Sequence, residues 1–222
     1  MEWGDQGMEM ETNLMKGYTA AYKLACEELA KRSPSDVCTN AQVAFEPECN
    51  AYRVRYLGVV YQVHAESGAV EGPNADGEVS ATVKVLLLHY LLHAKNRPLS
   101  GNLISFRDLK NGAAIYYPVF YKRAVTPLIK TFGHCFEDFY AASAGLGGVK
   151  AQYGHASVTV DILPRIPVTY VLWEGEDDIP ASGTILFDDS VEYYLPAEDI
   201  VFAGSFGVYE LMRLKQAGAL TV

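Results

Sequence analysis

One stretch of the chain is too apolar to lie at a protein surface. Between Ser80 and Lys95, the apolar residues are Val83, Val85, Leu86, Leu87, Leu88, Leu91 and Leu92. On a helix these side chains cover nearly every side, and a partly solvated helix could not tolerate that, so the pattern predicts a buried central helix. Its longest apolar run, Val83 to Leu92, is far shorter than the roughly 20 residues that cross a bilayer.

Strands are predicted on both sides of this helix. Before it, apolar and polar residues alternate in the runs 43–45, 52–56 and 59–63, which predicts an antiparallel meander with one solvated face. After it, Ser157 to Leu163 alternates, whereas Ile166 to Trp173 is apolar on both faces. The second of these runs is therefore predicted to be a central strand.

Further helices complete the predicted architecture. Helical patterns occupy residues 14–32, 116–132, 134–144 and 196–216, and Pro127 is expected to kink or divide the second of them. We therefore predict a single α+β domain over residues 14–222, with an antiparallel sheet packed on the buried central helix and other helices around it. Residues 1–13 are predicted to form a flexible N-terminal tail.

Charge and cysteine content exclude several classes of protein. The 18 basic and 27 acidic residues leave a formal charge of −9, which disfavours nucleic acid and anionic membranes as partners. The acidic N-terminus lacks the apolar core of a secretory signal, so a cytoplasmic location is expected. The four cysteines, at positions 26, 38, 49 and 135, include no C-x-x-C pair, and no iron-sulfur cluster motif is present.

Four segments carry a resemblance to a known family. They are LLLHYLLHA (86–94), PLSGNLISFRDLKNG (98–112), LPRIPVTYVLWEGEDDIP (163–180) and ILFDDSVEYYLP (185–196). Together they resemble the uncharacterised "domain of unknown function 3786" family, over roughly Leu14 to Leu214. The resemblance implies a context in anaerobic bacteria and archaea, where some such domains are fused to a four-cysteine iron-sulfur domain of the corrinoid iron-sulfur type. It therefore implies an iron-sulfur or corrinoid protein as a partner.

A cluster of carboxylates is the first candidate site. Glu174, Glu176, Asp177 and Asp178 follow the predicted central strand, and Asp188 could join them if the intervening loop folds back. Oxygen ligands suit a divalent cation such as Mg²⁺ or Ca²⁺, which would relieve the repulsion among these groups. The alternative is a solvated acidic turn.

The remaining candidates would bind a ligand. Arg107 and Arg123 could grip a carboxylate or phosphate, or else form internal ion pairs. The candidate pocket walls are Tyr90, Phe106 and Trp173, although large aromatic residues also serve as plain core. His89 lies four residues before His93, a spacing that two zinc-binding imidazoles use, and it could equally be a core histidine.

Three functions remain open from the sequence. The leading hypothesis is an accessory module that binds a small anionic ligand, a cofactor or a partner protein, because no catalytic set is complete. The alternative is a metal-assisted hydrolase or transferase that uses the acidic residues 174–178 with His89. A purely structural subunit is the third, and it would expose a large apolar patch instead of a pocket.

Overall fold

The computed structural model describes residues 19–73, 77–110 and 113–219 of the chain. The helices are α1 (19–29), α2 (Pro34–Ala41), α3 (Ala81–His93), α4 (Ala113–Phe120), α5 (Thr126–Phe132), α6 (Phe136–Ala144) and α7 (Ala197–Ala219). The strands are β1 (Ala44–Glu46), β2 (Ala51–Tyr56), β3 (Val59–His64), β4 (Val70–Glu71), β5 (Leu103–Ser105), β6 (Val149–Lys150), β7 (Ala156–Leu163), β8 (Ile166–Trp173) and β9 (Ser182–Asp188). Strand β1 pairs antiparallel with β2, β3 with β4, and every neighbouring pair among β5 to β9 is antiparallel, so the α+β class predicted from the sequence is confirmed.

The described residues fall into two compact units. The first comprises the chain up to Ala94 without residues 55–59, and the second comprises residues 55–59 and everything from Lys95 onward. The sequence patterns predicted one sheet, whereas the strands pair into two, because alternation along a strand does not specify its neighbours. That residues 14–222 form one domain stays a prediction, and the predicted tail 1–13 lies outside the described residues.

The first unit contains a four-stranded sheet in the order β1-β2-β3-β4 and the buried helix α3. The Ser80 side chain begins α3 by accepting a hydrogen bond from the Val83 amide, at 3.3 Å. Six of the thirteen helical residues, from Val85 to Leu91, are buried, which confirms the prediction of a buried helix. The Tyr90 hydroxyl donates to the carbonyl of Ala41 at 2.7 Å and so ties α3 to the end of α2.

The second unit contains a five-stranded sheet in the order β5-β9-β8-β7-β6, with β8 in the middle as predicted. Six of the eight residues of β8 are buried, so the strand has no solvated face. Helix α7 lies against this sheet, where the Tyr170 hydroxyl donates to the carbonyl of Gly204 at 3.3 Å. Among the described residues, no helix is both long and apolar enough to cross a membrane.

The segment with two prolines differs from the prediction. Instead of dividing at Pro127, the segment continues from α4 through a π-helical turn, Tyr121–Val125, into α5. In this wide turn the Thr126 amide donates to the carbonyl of Tyr121, five residues back. Proline has no N–H, and its ring clashes with the carbonyl four residues earlier, so a wider turn accommodates it without breaking the helix.

We predict that Gly207→Ala destabilises the second unit. A Cβ at this position of α7 would overlap the Tyr170 hydroxyl and lie 2.8 Å from Ile162 Cδ1. Overpacking of this kind costs about 1–3 kcal/mol of the free energy of unfolding, measurable by urea denaturation. The matched control is Gly218→Ala on the same helix, where a Cβ meets nothing within 4 Å. Equal stabilities for the two variants would contradict the packing that we describe.

Candidate functional site

A groove on the second unit collects positive charge over an apolar floor. It has a volume of about 780 Å³, within the range of small-molecule pockets. Its lining residues are Pro118, Val119, Lys122, Arg123, Thr126, Pro127, Lys130 and Tyr209. We call this site the cationic groove.

One helical face supplies most of the cationic groove. Between Val119 and Lys130, successive lining residues of the α4–α5 segment are either adjacent in sequence or three residues apart. This spacing places them along one side of a helix. Lys122 and Arg123 lie in the π-helical turn, whereas Lys130 lies in α5. Helix α7 supplies Tyr209.

The three cations of the cationic groove have no ion-pair partner among the described residues. Within the described ranges, no carboxylate forms an ion pair with Lys122, Arg123 or Lys130. The Arg123 guanidinium carbon lies 6.0 Å from the centre of the Phe202 ring, which supports the side chain without consuming its charge. In a chain with a formal charge of −9, three such cations around one groove form a local site for anions.

A second cavity lies at the tip of the β8–β9 hairpin. It measures about 600 Å³, and its lining residues are His155, Trp173, Glu174, Glu176, Ile179, Pro180 and Ser182. Glu176 and Ile179 close the turn through a pair of backbone hydrogen bonds of 3.0 and 2.7 Å. The side chains of Glu174, Glu176, Asp177 and Asp178 are all exposed, as the alternative of a solvated acidic turn requires.

His155 belongs to this cavity although the sequence did not single it out. Its Nδ1 accepts a hydrogen bond from the Glu174 amide at 3.0 Å, and its own amide donates to the carbonyl of Leu172. The residue precedes β7, and the pairing of Ala156 with Leu172 brings it beside the end of β8. Only the strand register carries this information, and residue patterns do not reveal a register.

The structure does not bring Asp188 to the acidic hairpin. Asp188 ends β9, whereas the hairpin tip precedes Ser182 at the other end, roughly 20 Å away along an extended strand. Among the described residues, no group of three or more His, Cys, Asp or Glu side chains is arranged to hold a metal ion. The expectation that Asp188 joins the acidic residues is therefore wrong. A metal at residues 174–178 stays a prediction.

Asp188 instead organises the backbone around it. The buried carboxylate accepts hydrogen bonds from the amides of Gly101 at 2.7 Å, Ser190 at 3.0 Å and Ser100 at 3.1 Å. Burial alone would raise the pKa of Asp188, but the hydrogen bonds from Ser190, Ser100 and Gly101 outweigh burial and lower this pKa below its usual value. The residue joins the loop at Ser100 and Gly101 to the end of β9 and the turn that follows it.

The other predicted ligand-binding residues are dispersed. Arg123 and Trp173 each line a cavity, but Phe106 is buried and stacks on Phe120 with ring centres 4.4 Å apart. Arg107 lies over the Tyr117 ring at 4.0 Å and lines neither cavity.

His89 and Tyr90 both belong to the first unit. The Tyr90 side chain is fully buried, which makes it core, and the His89 ring centre lies 5.5 Å from that of His93. Tyr90 and Phe106 therefore serve as core residues in the described structure, which is the alternative that the sequence analysis gave for large aromatic residues.

Comparison with known proteins identifies a family but no function. The family model described as "Domain of unknown function (DUF3786)" matches residues 33–210, and the chain therefore belongs to this family. No curated protein and no solved structure matches the chain.

We predict that Asp188→Asn lowers the free energy of unfolding by about 2 kcal/mol at pH 7, because charge-assisted hydrogen bonds are lost. Since the folded-state pKa of Asp188 is lowered, its contribution is present above the unfolded-state pKa and disappears as the pH falls through the folded-state value. Urea titrations should therefore show a deficit that shrinks below about pH 4. Asp178→Asn, on the exposed hairpin, is the control. A deficit independent of pH in Asp188→Asn would contradict this account.

Proposed function

We propose that this member of the DUF3786 family is an accessory module that binds a small anionic ligand in the cationic groove. The observation that carries the proposal is the set of three cations, Lys122, Arg123 and Lys130, which line one groove without an internal ion pair in the described ranges. Uncompensated cations beside a concave apolar surface favour an anion that also has an apolar part.

The chemistry of the cations narrows the choice of ligand. The guanidinium of Arg123 offers a planar fork of donors that matches carboxylate and phosphate oxygens, and Lys122 adds a mobile point charge beside it. Both residues stand in a π-helical turn, a feature found frequently at functional sites. These two residues are the expected anchor of the anion.

The finer features implied by the family resemblance remain part of the proposal. An iron-sulfur or corrinoid protein is the proposed partner class, and a cytoplasm of an anaerobe is the proposed setting. Corrinoids therefore belong among the ligands to be tested. The alternative, a metal-assisted hydrolase or transferase that uses residues 174–178 with His89, has less support, since no three or more His, Cys, Asp or Glu side chains of the described residues are grouped to hold a metal ion.

We predict that Lys122→Gln weakens the binding of inorganic pyrophosphate at least about tenfold, the effect of losing roughly 1.4 kcal/mol from one charge-assisted contact. Isothermal titration of the full chain at low ionic strength measures it, and added salt should weaken the wild-type affinity. The control is Lys95→Gln, which removes an exposed lysine outside the groove.

The proposal fails under two outcomes. In one, the wild-type chain binds none of pyrophosphate, simple carboxylates, nucleotides and corrinoids. In the other, Lys122→Gln and Lys95→Gln bind pyrophosphate equally, which would place the anion site outside the cationic groove.

A further inference from the structure

We infer that the ligand of the cationic groove combines a diphosphate with a flat ring, which is the chemistry of a nucleoside diphosphate. This inference rests on the proposed function and specifies its ligand class. It follows from the positions of the cations and of one exposed aromatic ring at separate places in the same groove.

The phosphate end is set by Arg123 and Lys122. The guanidinium of Arg123 is supported by the Phe202 ring near the start of α7, at 6.0 Å. The adjacent Lys122 lines the same cavity. Two neighbouring cations provide more donors than a single carboxylate accepts, and they match the oxygens of a diphosphate.

The ring end is set by Tyr209. The rings of Phe202, Phe206 and Tyr209 form a row along α7, with successive centres 5.7 and 6.4 Å apart. Arg123 lies over the first ring of this row, whereas Tyr209 is the last, 42% exposed and lining the groove. An exposed tyrosine face in a groove is a stacking platform for a flat heterocycle.

The separation of the two ends comes from the helix geometry. Tyr209 follows Phe202 by seven residues, which corresponds to roughly 10 Å along α7. The two helical segments run in the same direction: a Cβ at Gly204 would lie 2.8 Å from Phe120, and Lys215 donates to the carbonyl of Thr131. These contacts place Tyr209 about level with Val125, and its ring lies further along α7 than Phe202, the ring on which the Arg123 guanidinium rests.

The rest of the groove suits the remaining parts of such a ligand. Thr126 offers a hydroxyl that can bond to a sugar, and Lys130 supplies a further cation. Pro127 presents an apolar ring surface on the same helical face. A ligand that combines phosphates, sugar hydroxyls and a flat ring engages all of these groups, whereas a bare phosphate leaves Tyr209 unused.

The test compares ADP with inorganic pyrophosphate, which carries the same diphosphate without the nucleoside. Titration calorimetry on the full wild-type chain should show ADP binding at least tenfold more tightly than pyrophosphate. Tyr209→Ala should reduce the affinity for ADP to that for pyrophosphate and leave pyrophosphate binding unchanged, whereas Tyr209→Phe should bind both as the wild type does. Because Tyr209 is substantially exposed, the variants should fold, and circular dichroism checks this.

The outcomes separate the inference from the proposed function. If pyrophosphate binding depends on Lys122 but ADP binds no more tightly than pyrophosphate, the ligand class is wrong and the anion site stands. ADP binding that is insensitive to Tyr209→Ala also overturns the inference. If neither probe binds, this inference is overturned, and the wider ligand panel decides whether the proposed function falls with it.

Discussion

A proline inside a helical segment must lose one backbone hydrogen bond, and the way this chain accommodates Pro127 determines the geometry of its candidate site. The helix does not break there. It widens into the turn Tyr121–Val125, whose last hydrogen bond joins the Thr126 amide to the carbonyl five residues before it. The consequence is one nearly continuous helical face that carries Lys122, Arg123 and Lys130 past the same side of α7. A broken helix would have separated these charges.

Asp188 and the acidic residues 174–178, which the sequence analysis placed in one candidate site, have different physical roles. The acidic residues at the β8–β9 hairpin tip are exposed, so water separates and solvates their charges. Asp188 is buried, and three backbone amides stabilise its charge by donating hydrogen bonds to the carboxylate. Burial is tolerable for an ionised group only when such donors replace its water, and the loop at Ser100 and Gly101 provides them. Sequence proximity of acidic residues is therefore a poor guide to a shared site.

The accuracy of the sequence-based predictions depended on the range of the interactions involved. The buried helix was predicted as 80–95 and is observed as Ala81–His93, and the central strand matches Ile166–Trp173. Each was apparent because burial on all sides leaves a continuous apolar run. Trp173 and Arg123 do line cavities, but His155 and Tyr209 were missed because strand register and helix packing bring them there. The alternation of apolar residues could not show that the strands pair into two sheets.

What the sequence alone determined is local: most of the helices, the strands β1, β2, β3, β7 and β8, the burial of α3 and β8, the net negative charge and membership of the family. These follow from residue order and composition, since periodicity and side-chain chemistry act over a few neighbouring positions. Only the tertiary structure decided that three cations meet Tyr209 in one groove and that Asp188 stands apart from the acidic hairpin. Such arrangements depend on contacts between residues tens of positions apart, and no local pattern encodes which distant segments will pack together.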